Sequence, residues 1–271
     1  METEEILALY DQQMRKEIEF PDMRKEVLPH LVRFVRPAPG TSIIQYSHLN
    51  EKNADAAIKE QIDYFTRLKQ PFEWAAYEHD LPVNLMCRLE KHGLVSEKPG
   101  AIMALDMNEA PQALLELVTA DVRQLTHRAQ LLDVIRVVQG IWGGDFSWIS
   151  ERLGGHLEIP GYLNIYAAYI DNQPVSTGWI YFHPHSQFAD LWGGSTLEGY
   201  RKKGLYTTMF AMRVQAAIQR GYHFLTIDAS LMSQSITARH CFRQITTVCD
   251  FGWKASPLAS RSQRSPSGEP G

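Results

Sequence analysis

Cysteine is scarce in this sequence, and no two cysteines lie close together. Cys87, Cys241 and Cys249 are the only three in 271 residues, and none belongs to a CxxC pair. An odd number of cysteines cannot form a complete disulfide framework. Isolated cysteines are typical of small buried side chains in a reducing compartment. We therefore expect the fold to be held by its apolar core rather than by disulfides.

Long apolar runs and a basic leader are also missing. No stretch of 18 apolar residues occurs, so we expect no transmembrane helix and no membrane partner. The first ten residues carry Glu2, Glu4 and Glu5 without a basic region, which does not fit a signal peptide. These absences predict a cytoplasmic protein.

Two familiar phosphate-binding motifs and an excess of positive charge are absent. The sequence contains neither GxxxxGK[ST] nor GxGxxG, which disfavours a nucleoside triphosphatase or a dinucleotide-binding domain. The formal net charge is -4 and the pI is about 6.2. No basic stripe is evident, so we expect no nucleic-acid partner.

The length and composition fit two globular domains. Hydrophobic residues make up 44% of the chain and charged residues 21%, which is ordinary for a protein with an apolar core. A break at residues 108–111 separates a first half, 1–110, from a second half, 115–254. Residues 255–271 are mainly Ser, Pro, Arg and Gly, and this composition predicts a disordered tail.

Apolar periodicity predicts alternating strands and helices in both halves. Residues 3–36 read as mostly helical, and 114–122 as a strand. In the first half the pattern is strand 42–47, helix 51–68, strand 72–77, helix 82–92 and strand 101–107. In the second half it is helices 126–139 and 146–153, the hairpin 162–182, strand 188–197, helix 206–220, strand 224–229, helix 234–240 and strand 245–253. The first-half series matches the last five elements of the second half at an offset of about 150 residues, which is consistent either with duplication or with two unrelated α/β segments.

A basic turn at the start of one helix is the clearest candidate binding site. Arg201, Lys202, Lys203 and Gly204 stand between an apolar strand and the helix 206–220. A helix start presents unpaired N–H groups and partial positive charge, and glycine allows close approach of a phosphate. The three cations would attract a polyanion. The alternative is a solvated charged turn.

Gly193 and Gly194 interrupt the strand that leads into this turn. Glycine inside a strand often marks a bulge or a close backbone approach. A bulge here would separate the strand from its neighbour and open a slot beside the helix start. Such a slot suits a long ligand that carries a diphosphate.

The segment Arg201–Tyr206, read as RKKGLY, resembles the R/Q-x-x-G-x-G/A signature of the GNAT superfamily of N-acetyltransferases. The order of elements over 115–253 is similar to that fold, and the hairpin 167–178 resembles the second and third strands of the family. The first half resembles the same family weakly. The resemblance implies an α/β fold, a GNAT-like mixed sheet flanked by helices, in which two similar halves pack together and the first copy is degenerate.

The resemblance also implies acetyl-CoA as cofactor and an amine of a small molecule or peptide as acceptor. The backbone of Lys202, Lys203, Gly204, Leu205, Tyr206 and Thr207 would hold the pyrophosphate, aided by Arg201. Ser195, Thr196 and Leu197 would pair with the pantetheine amides as an added strand does. The amine would attack the thioester directly after losing its proton.

Three positions depart from the family pattern. Tyr206 stands where the family usually has Gly or Ala. Cys241 replaces the corner glycine before Phe242, and Thr237 replaces the tyrosine that often serves as general acid. The last change leaves the source of the thiolate proton open. A non-catalytic acyl-CoA-binding or scaffold protein is therefore the alternative function.

Asp190 and Asp228 are the candidate bases, because both lie near strand ends beside the expected slot. Each could instead be a surface or capping aspartate. His183 and His185 follow the hairpin, and we interpret them as surface residues rather than metal ligands, since no further ligand is apparent. The equivalent turn of the first half, 48–53, has no glycine and one lysine, so we expect no diphosphate there.

Overall fold

The computed structural model describes residues 1–254, and the predicted tail 255–271 lies outside this range. The helices of the described residues are α1 (Thr3–Tyr10), α2 (Ala54–Leu68), α3 (Leu85–Lys91), α4 (Gln112–Leu115), α5 (Leu131–Trp142), α6 (Trp148–Leu157), α7 (Leu205–Gln219) and α8 (Leu231–Ala238). A π-helical turn, Asp11–Lys16, continues α1. The strands are β1 (Arg24–Leu28), β2 (Leu31–Val35), β3 (Ser42–Ser47), β4 (Phe72–Tyr77), β5 (Val95–Ser96), β6 (Gly100–Asp106), β7 (Val122–Leu125), β8 (Leu163–Ile170), β9 (Gln173–Phe182), β10 (Phe188–Thr196), β11 (Phe224–Ala229) and β12 (Arg243–Trp253).

The chain divides into two compact units, and the last strand belongs to the first of them. The first unit consists of Met1–Ile102 together with the described residues from Gln244 onward, and the second of Met103–Arg243. Most of β12 thus belongs to the first unit, and most of β6 to the second. The sequence alone placed the last strand with the second half, because sequence order does not reveal which sheet a terminal strand joins.

The first unit has a sheet of strand order β1-β2-β3-β4-β12, and β5 also pairs with β12. β3 and β4 are parallel, and β4 and β12 are antiparallel. The helix α2 between β3 and β4 buries Ala54, Ile58, Gln61 and Phe65. This three- and four-residue spacing places them on one face, as the sequence predicted.

The second unit has the strand order β6-β11-β10-β9-β8-β7. β7 to β10 form an antiparallel meander, whereas β10 and β11 are parallel and are joined through α7. α5 and α6 cover one core of this unit, whose buried members include Val134, Leu153 and Trp179. The mixed α/β sheet flanked by helices is the predicted fold class.

Corresponding helices of the two units end in the same backbone geometry. After α2, Lys69 is left-handed and the N–H of Gln70 donates to Phe65 O at 3.1 Å. After α7, Gly221 is left-handed and the N–H of Tyr222 donates to Ala217 O at 3.1 Å. This is the closing geometry of a Schellman-type helix end, found in both units at the offset that the sequence suggested.

The ends of α3 and α8 match in the same way. Gly93 has φ +87° and Cys241 has φ +64°. The N–H of Leu94 donates to Leu89 O at 3.1 Å, and that of Phe242 to Thr237 O at 3.2 Å. Cys241 therefore keeps a corner whose backbone favours glycine, which accounts for the glycine of the GNAT pattern at this place.

Two sequence-based assignments are wrong. The expected helix over 3–36 stops at Lys16, and residues 24–35 form the β1–β2 hairpin, whose second strand is entirely buried. The helical spacing of the first residues was extended too far past Pro21. The expected strand 114–122 is mostly loop, because α4 ends at Leu115 and β7 begins only at Val122. Gln215 Nε2 donates to the carbonyls of Leu114 and Glu116, so these two carbonyls are bonded to a side chain.

Candidate functional site

The start of α7 is shaped by two left-handed residues. β10 ends at Thr196, a short turn follows, and Lys202 and Gly204 have φ +59° and +79°. Gly204 is the residue before the helix, and its carbonyl accepts the N–H of Thr208 at 3.0 Å. Within residues 1–254, no side chain caps this helix start. A helix start without a side-chain cap is the arrangement found at anion sites.

Three cationic residues precede this helix start. Lys202 and Lys203 are exposed, and Lys203 Nζ lies 4.9 Å from the ring centroid of Tyr200. Arg201 is half-buried, and its Nε donates to the carbonyl of Thr196 at 3.2 Å. The arginine therefore ties the basic turn to the end of β10. Close to the amides of α7, the three charges favour a polyanionic ligand.

The backbone of Gly204 has open space beside it. A Cβ built at this residue meets nothing within 4 Å, so the space beside the backbone is open. Leu205 is buried, and the ring of Tyr206 packs edge-on against Phe210 with centroids 4.7 Å apart. Thr207 Oγ1 lies 3.3 Å from His240 Nε2. The bulky ring of Tyr206 therefore packs along α7 instead of covering the basic turn.

β10 and β11 separate beside this helix start. They pair at Phe188–Phe224, Ala189–Leu225 and Asp190–Thr226. The pairing ends there, although β10 continues to Thr196 and β11 to Ala229. We call the space beyond this last pair the β10–β11 gap. It opens toward the carboxyl ends of both strands, the edge at which the chain leaves β10 to reach α7.

The predicted bulge at Gly193 and Gly194 is present on the other side of β10. In the pairing with β9, Trp192 lies opposite Trp179 and Ser195 opposite Thr177, so two glycines stand against one residue. Gly193 has φ +60°, and a Cβ there would lie 1.8 Å from the Trp179 ring. Only glycine fits this position without moving the buried tryptophan.

Asp190 lies in the last paired position, at the narrow end of the gap. Thr226 Oγ1 donates to its Oδ1 at 3.0 Å, and Trp192 Nε1 donates to its Oδ2. Burial raises the pKa of Asp190 to about 7, and hydrogen bonds from its neighbours oppose this rise only in part. The carboxyl group can therefore take up or release a proton near neutral pH, as a general base must.

Asp228 lies on β11 two residues beyond Thr226, the residue that pairs with Asp190, and is half-buried. It lies on the strand that borders the gap, beyond the last pair. The structure thus brings both candidate bases to the same strand pair but places them at different depths. Thr226 and Trp192, the partners of Asp190, were not identified from the sequence, because the register of a parallel pair cannot be read from sequence spacing.

The backbone of Ser195, Thr196 and Leu197 also makes contacts within the protein. Ser176 Oγ donates to the carbonyl of Ser195 at 2.9 Å, and Leu197 N–H donates to the carbonyl of Val175 at 2.9 Å. These bonds hold the end of β10 on β9. Pairing of this segment with a pantetheine chain stays a prediction.

The hydroxyl group of Thr237 is directed into its own helix. Thr237 is fully buried, and Oγ1 donates to the carbonyls of Ser233 and Gln234 at 3.1 and 3.0 Å. It therefore does not take over the role of the tyrosine that the GNAT pattern places there. His240 lies near Thr207 instead, and burial lowers its pKa.

The interpretation of His183 as a surface residue is wrong. Its side chain is buried, stacks on Tyr181 and meets Tyr162 edge-on. Burial lowers the pKa of His183 to about 4. The alternation of β9 continues one residue past Phe182 and turns His183 inward, whereas His185 is exposed.

The corresponding turn of the first unit is closed by its own side chains. Asn50 Oδ1 accepts the N–H groups of Lys52 and Asn53 at 2.9 and 3.2 Å, and Asn53 Oδ1 accepts that of Asn50 at 2.7 Å. The amides before α2 are therefore engaged internally. This differs from the uncapped start of α7.

No family model and no curated protein matches this sequence. Solved structures match over nearly its whole length. A GCN5-related N-acetyltransferase from Kribbella flavida has 15% identity and a TM-score of 0.68, covering 95% of this chain and 96% of that one. A conserved protein of unknown function from Staphylococcus epidermidis ATCC 12228 has 13% identity and a TM-score of 0.64, with 92% and 99% covered.

A tandem GNAT protein from the clavulanic acid biosynthesis pathway is also similar. It has 9% identity and a TM-score of 0.59, and the match covers 92% of this chain and 88% of that protein. At such low identity, these likenesses establish the fold. The chain has a GNAT-type fold, and it is similar to a tandem GNAT protein along most of its length. Within residues 1–254, no helix is both long and apolar enough to cross a bilayer.

Proposed function

We propose that the second unit binds acetyl-CoA and transfers its acetyl group to an amine of a small molecule or peptide. The observation that carries this proposal is the β10–β11 gap beside the uncapped, basic start of α7. A gap next to an anion site suits a long ligand with a diphosphate in its middle. The GNAT-type fold supports the same conclusion.

The residues of α7 and its preceding turn would bind the cofactor. The amides from Lys202 to Thr207 would hold the pyrophosphate, with Arg201, Lys202 and Lys203 supplying charge. The end of β10, from Ser195 to Leu197, would border the pantetheine chain. Bound here, acetyl-CoA supplies an activated acetyl thioester.

Asp190 would prepare the amine. An amine is mostly protonated at neutral pH and becomes a nucleophile only after losing a proton. With a pKa of about 7, the Asp190 carboxylate is basic enough to accept that proton and lies where the strands part. The amine lone pair would then form a bond to the acetyl carbonyl carbon and the C–S bond would break. The CoA thiolate would leave and take up a proton, which balances the proton that the nitrogen loses on forming the amide. Asp228 is the second candidate for this role.

The experiment that tests the proposal follows release of free thiol from acetyl-CoA over a panel of amines. We expect amine-dependent release. The alternative, a non-catalytic acyl-CoA-binding protein, is favoured by one observation, namely that Thr237 cannot replace the acidic tyrosine. Saturable acetyl-CoA binding without turnover of any amine would support that alternative.

A further inference from the structure

The first unit contains a gap between parallel strands of the same kind. β3 and β4 pair at Ser42–Phe72, Ile43–Glu73 and Ile44–Trp74, and the pairing ends there. β3 continues to Ser47 and β4 to Tyr77. We call the space beyond this last pair the β3–β4 gap.

The side chain of Arg15 fills the β3–β4 gap. Its Nε donates to the carbonyl of Gln45 at 3.3 Å, and its guanidinium carbon lies 5.2 Å from the ring centroid of Tyr46. Both residues belong to β3 beyond the last pair. On the other side the same carbon lies 3.7 Å from the ring centroid of Tyr77, the last residue of β4. Arg15 is 0% exposed.

The walls of this gap match a guanidinium group. Nη2 donates to both carboxylate oxygens of Asp80 at 2.8 Å each, and Nη1 donates to Asp11 Oδ1 at 2.8 Å. Asp80 is itself held in place, since its Oδ2 accepts the N–H of Tyr77 at 3.0 Å. Acceptors for three different nitrogens, Nε, Nη1 and Nη2, together with an aromatic face suit a planar guanidinium better than a compact ammonium.

Arg15 lies on a segment separate from the two strands that form the gap. Arg15 belongs to the π-helical turn Asp11–Lys16, whereas Tyr46 and Tyr77 are on strands and Asp80 follows β4 directly. Truncating Arg15 would therefore remove the guanidinium and leave most of its walls in place.

We propose that the β3–β4 gap is a guanidinium-binding site that Arg15 occupies from within the chain, and that free guanidinium binds there once the Arg15 side chain is removed. This inference does not depend on the activity of the second unit, because its residues and its test are confined to the first.

Rescue of an arginine truncation by free guanidinium tests this proposal. The melting temperature of the full-length Arg15→Ala variant is measured in about 10 mM guanidinium chloride and in equal sodium chloride, a concentration at which general denaturation is slight. We expect Arg15→Ala to melt lower than the wild type and guanidinium to raise its melting temperature in a saturable manner. The wild type and Arg67→Ala, which removes an exposed arginine of α2, should show no rise.

The double variant Arg15→Ala/Asp80→Asn separates specific binding from a salt effect. It lacks the Asp80 carboxylate that accepts from Nη2 and should lose the response. No rise in Arg15→Ala, or an equal rise in the double variant, would overturn the proposal. If Arg15→Ala does not fold unaided, its refolded yield with and without guanidinium is compared, and equal yields would overturn the proposal as well.

Discussion

Thr226 donates its hydroxyl group to Asp190 Oδ1 at 3.0 Å, across the last pair of residues at which β10 and β11 run side by side. A carboxyl group with a pKa near neutrality thus stands at the point where the two strands part. Both its protonated and its ionised form are populated at neutral pH. This property makes Asp190 the better placed of the two candidate bases.

The first prediction concerns catalysis. Asp190→Asn should lower kcat/KM by about 10²–10⁴-fold, the usual contribution of a positioned general base, with acetyl-CoA affinity unchanged. In the wild type the rate should rise with pH through about 7, as Asp190 ionises, and this rise should vanish in the variant. Steady-state rates between pH 5.5 and 8.5 measure both effects.

Asp228→Asn is the matched control, because it removes a half-buried carboxylate from the neighbouring strand. We expect it to keep the pH-dependent rise. A profile unchanged by Asp190→Asn but abolished by Asp228→Asn would reverse the assignment. If the double variant also keeps the wild-type rate, proton loss through water is the better account.

The second prediction concerns stability. The folded protein holds a proton on Asp190 up to a pH of about 7, whereas in the unfolded chain the carboxyl group loses it near its ordinary pKa of 3.8. Folding stability contributed by this group therefore falls as pH rises through that window. Asp190→Asn should remove this fall and be more stable than the wild type at pH 8, by on the order of 1 kcal/mol after allowing for partial solvation. Urea unfolding at pH 5 and pH 8 measures the free energy of unfolding of both proteins. If the assignment were wrong, this free energy would change equally with pH in the wild type and in Asp190→Asn.

The third prediction concerns the cofactor site. Gly204→Val should weaken acetyl-CoA binding at least about tenfold, or 1.4 kcal/mol, because the side chain fills the open space beside the turn. Valine also strains the left-handed backbone at Gly204, so Gly204→Asn, which tolerates that conformation, is the companion variant. Dissociation constants for both variants are compared with the wild type.

The reference variant in the first unit is Asn50→Val. It removes the acceptor for the N–H groups of Lys52 and Asn53 in the turn before α2 and should cost about 1 kcal/mol of stability, as loss of such hydrogen bonds does. Acetyl-CoA affinity should stay unchanged. Equal losses of affinity in Gly204→Val and Asn50→Val would show that the two units have been given the wrong roles.

The fourth prediction concerns Thr237. Thr237→Val removes a hydroxyl group that donates to helix carbonyls, so kcat should stay within about twofold of the wild type. A destabilisation of roughly 1 kcal/mol is expected from the lost hydrogen bonds. A hundredfold fall in kcat with intact folding would instead identify Thr237 as the proton donor.

Local patterns in the sequence predicted most elements of the fold. Strands 42–47, 72–77 and 224–229 agree with β3, β4 and β11 at both ends. The β1–β2 hairpin was missed because buried strands and buried helices both appear as apolar runs. The membership of β12 in the first unit was also missed, since it depends on contacts between residues far apart in sequence.

The candidate site was predictable in part. The glycine of the basic turn and the Gly193–Gly194 bulge are both local features that sequence reveals. The pairing of Asp190 with Thr226 depends on the register of two strands, and the insertion of Arg15 depends on a segment about 30 residues away from Gln45 in sequence. Neither relationship leaves a periodic signal.

Calorimetric titration of the full-length protein with acetyl-CoA tests the central claim most directly. The uncapped start of α7 and the β10–β11 gap predict one bound molecule per chain, since Arg15 and Asn50 occupy the equivalent places in the first unit. Binding should weaken as salt concentration rises, because Arg201, Lys202 and Lys203 contribute charge. An absence of binding, or two molecules bound per chain, would contradict the account.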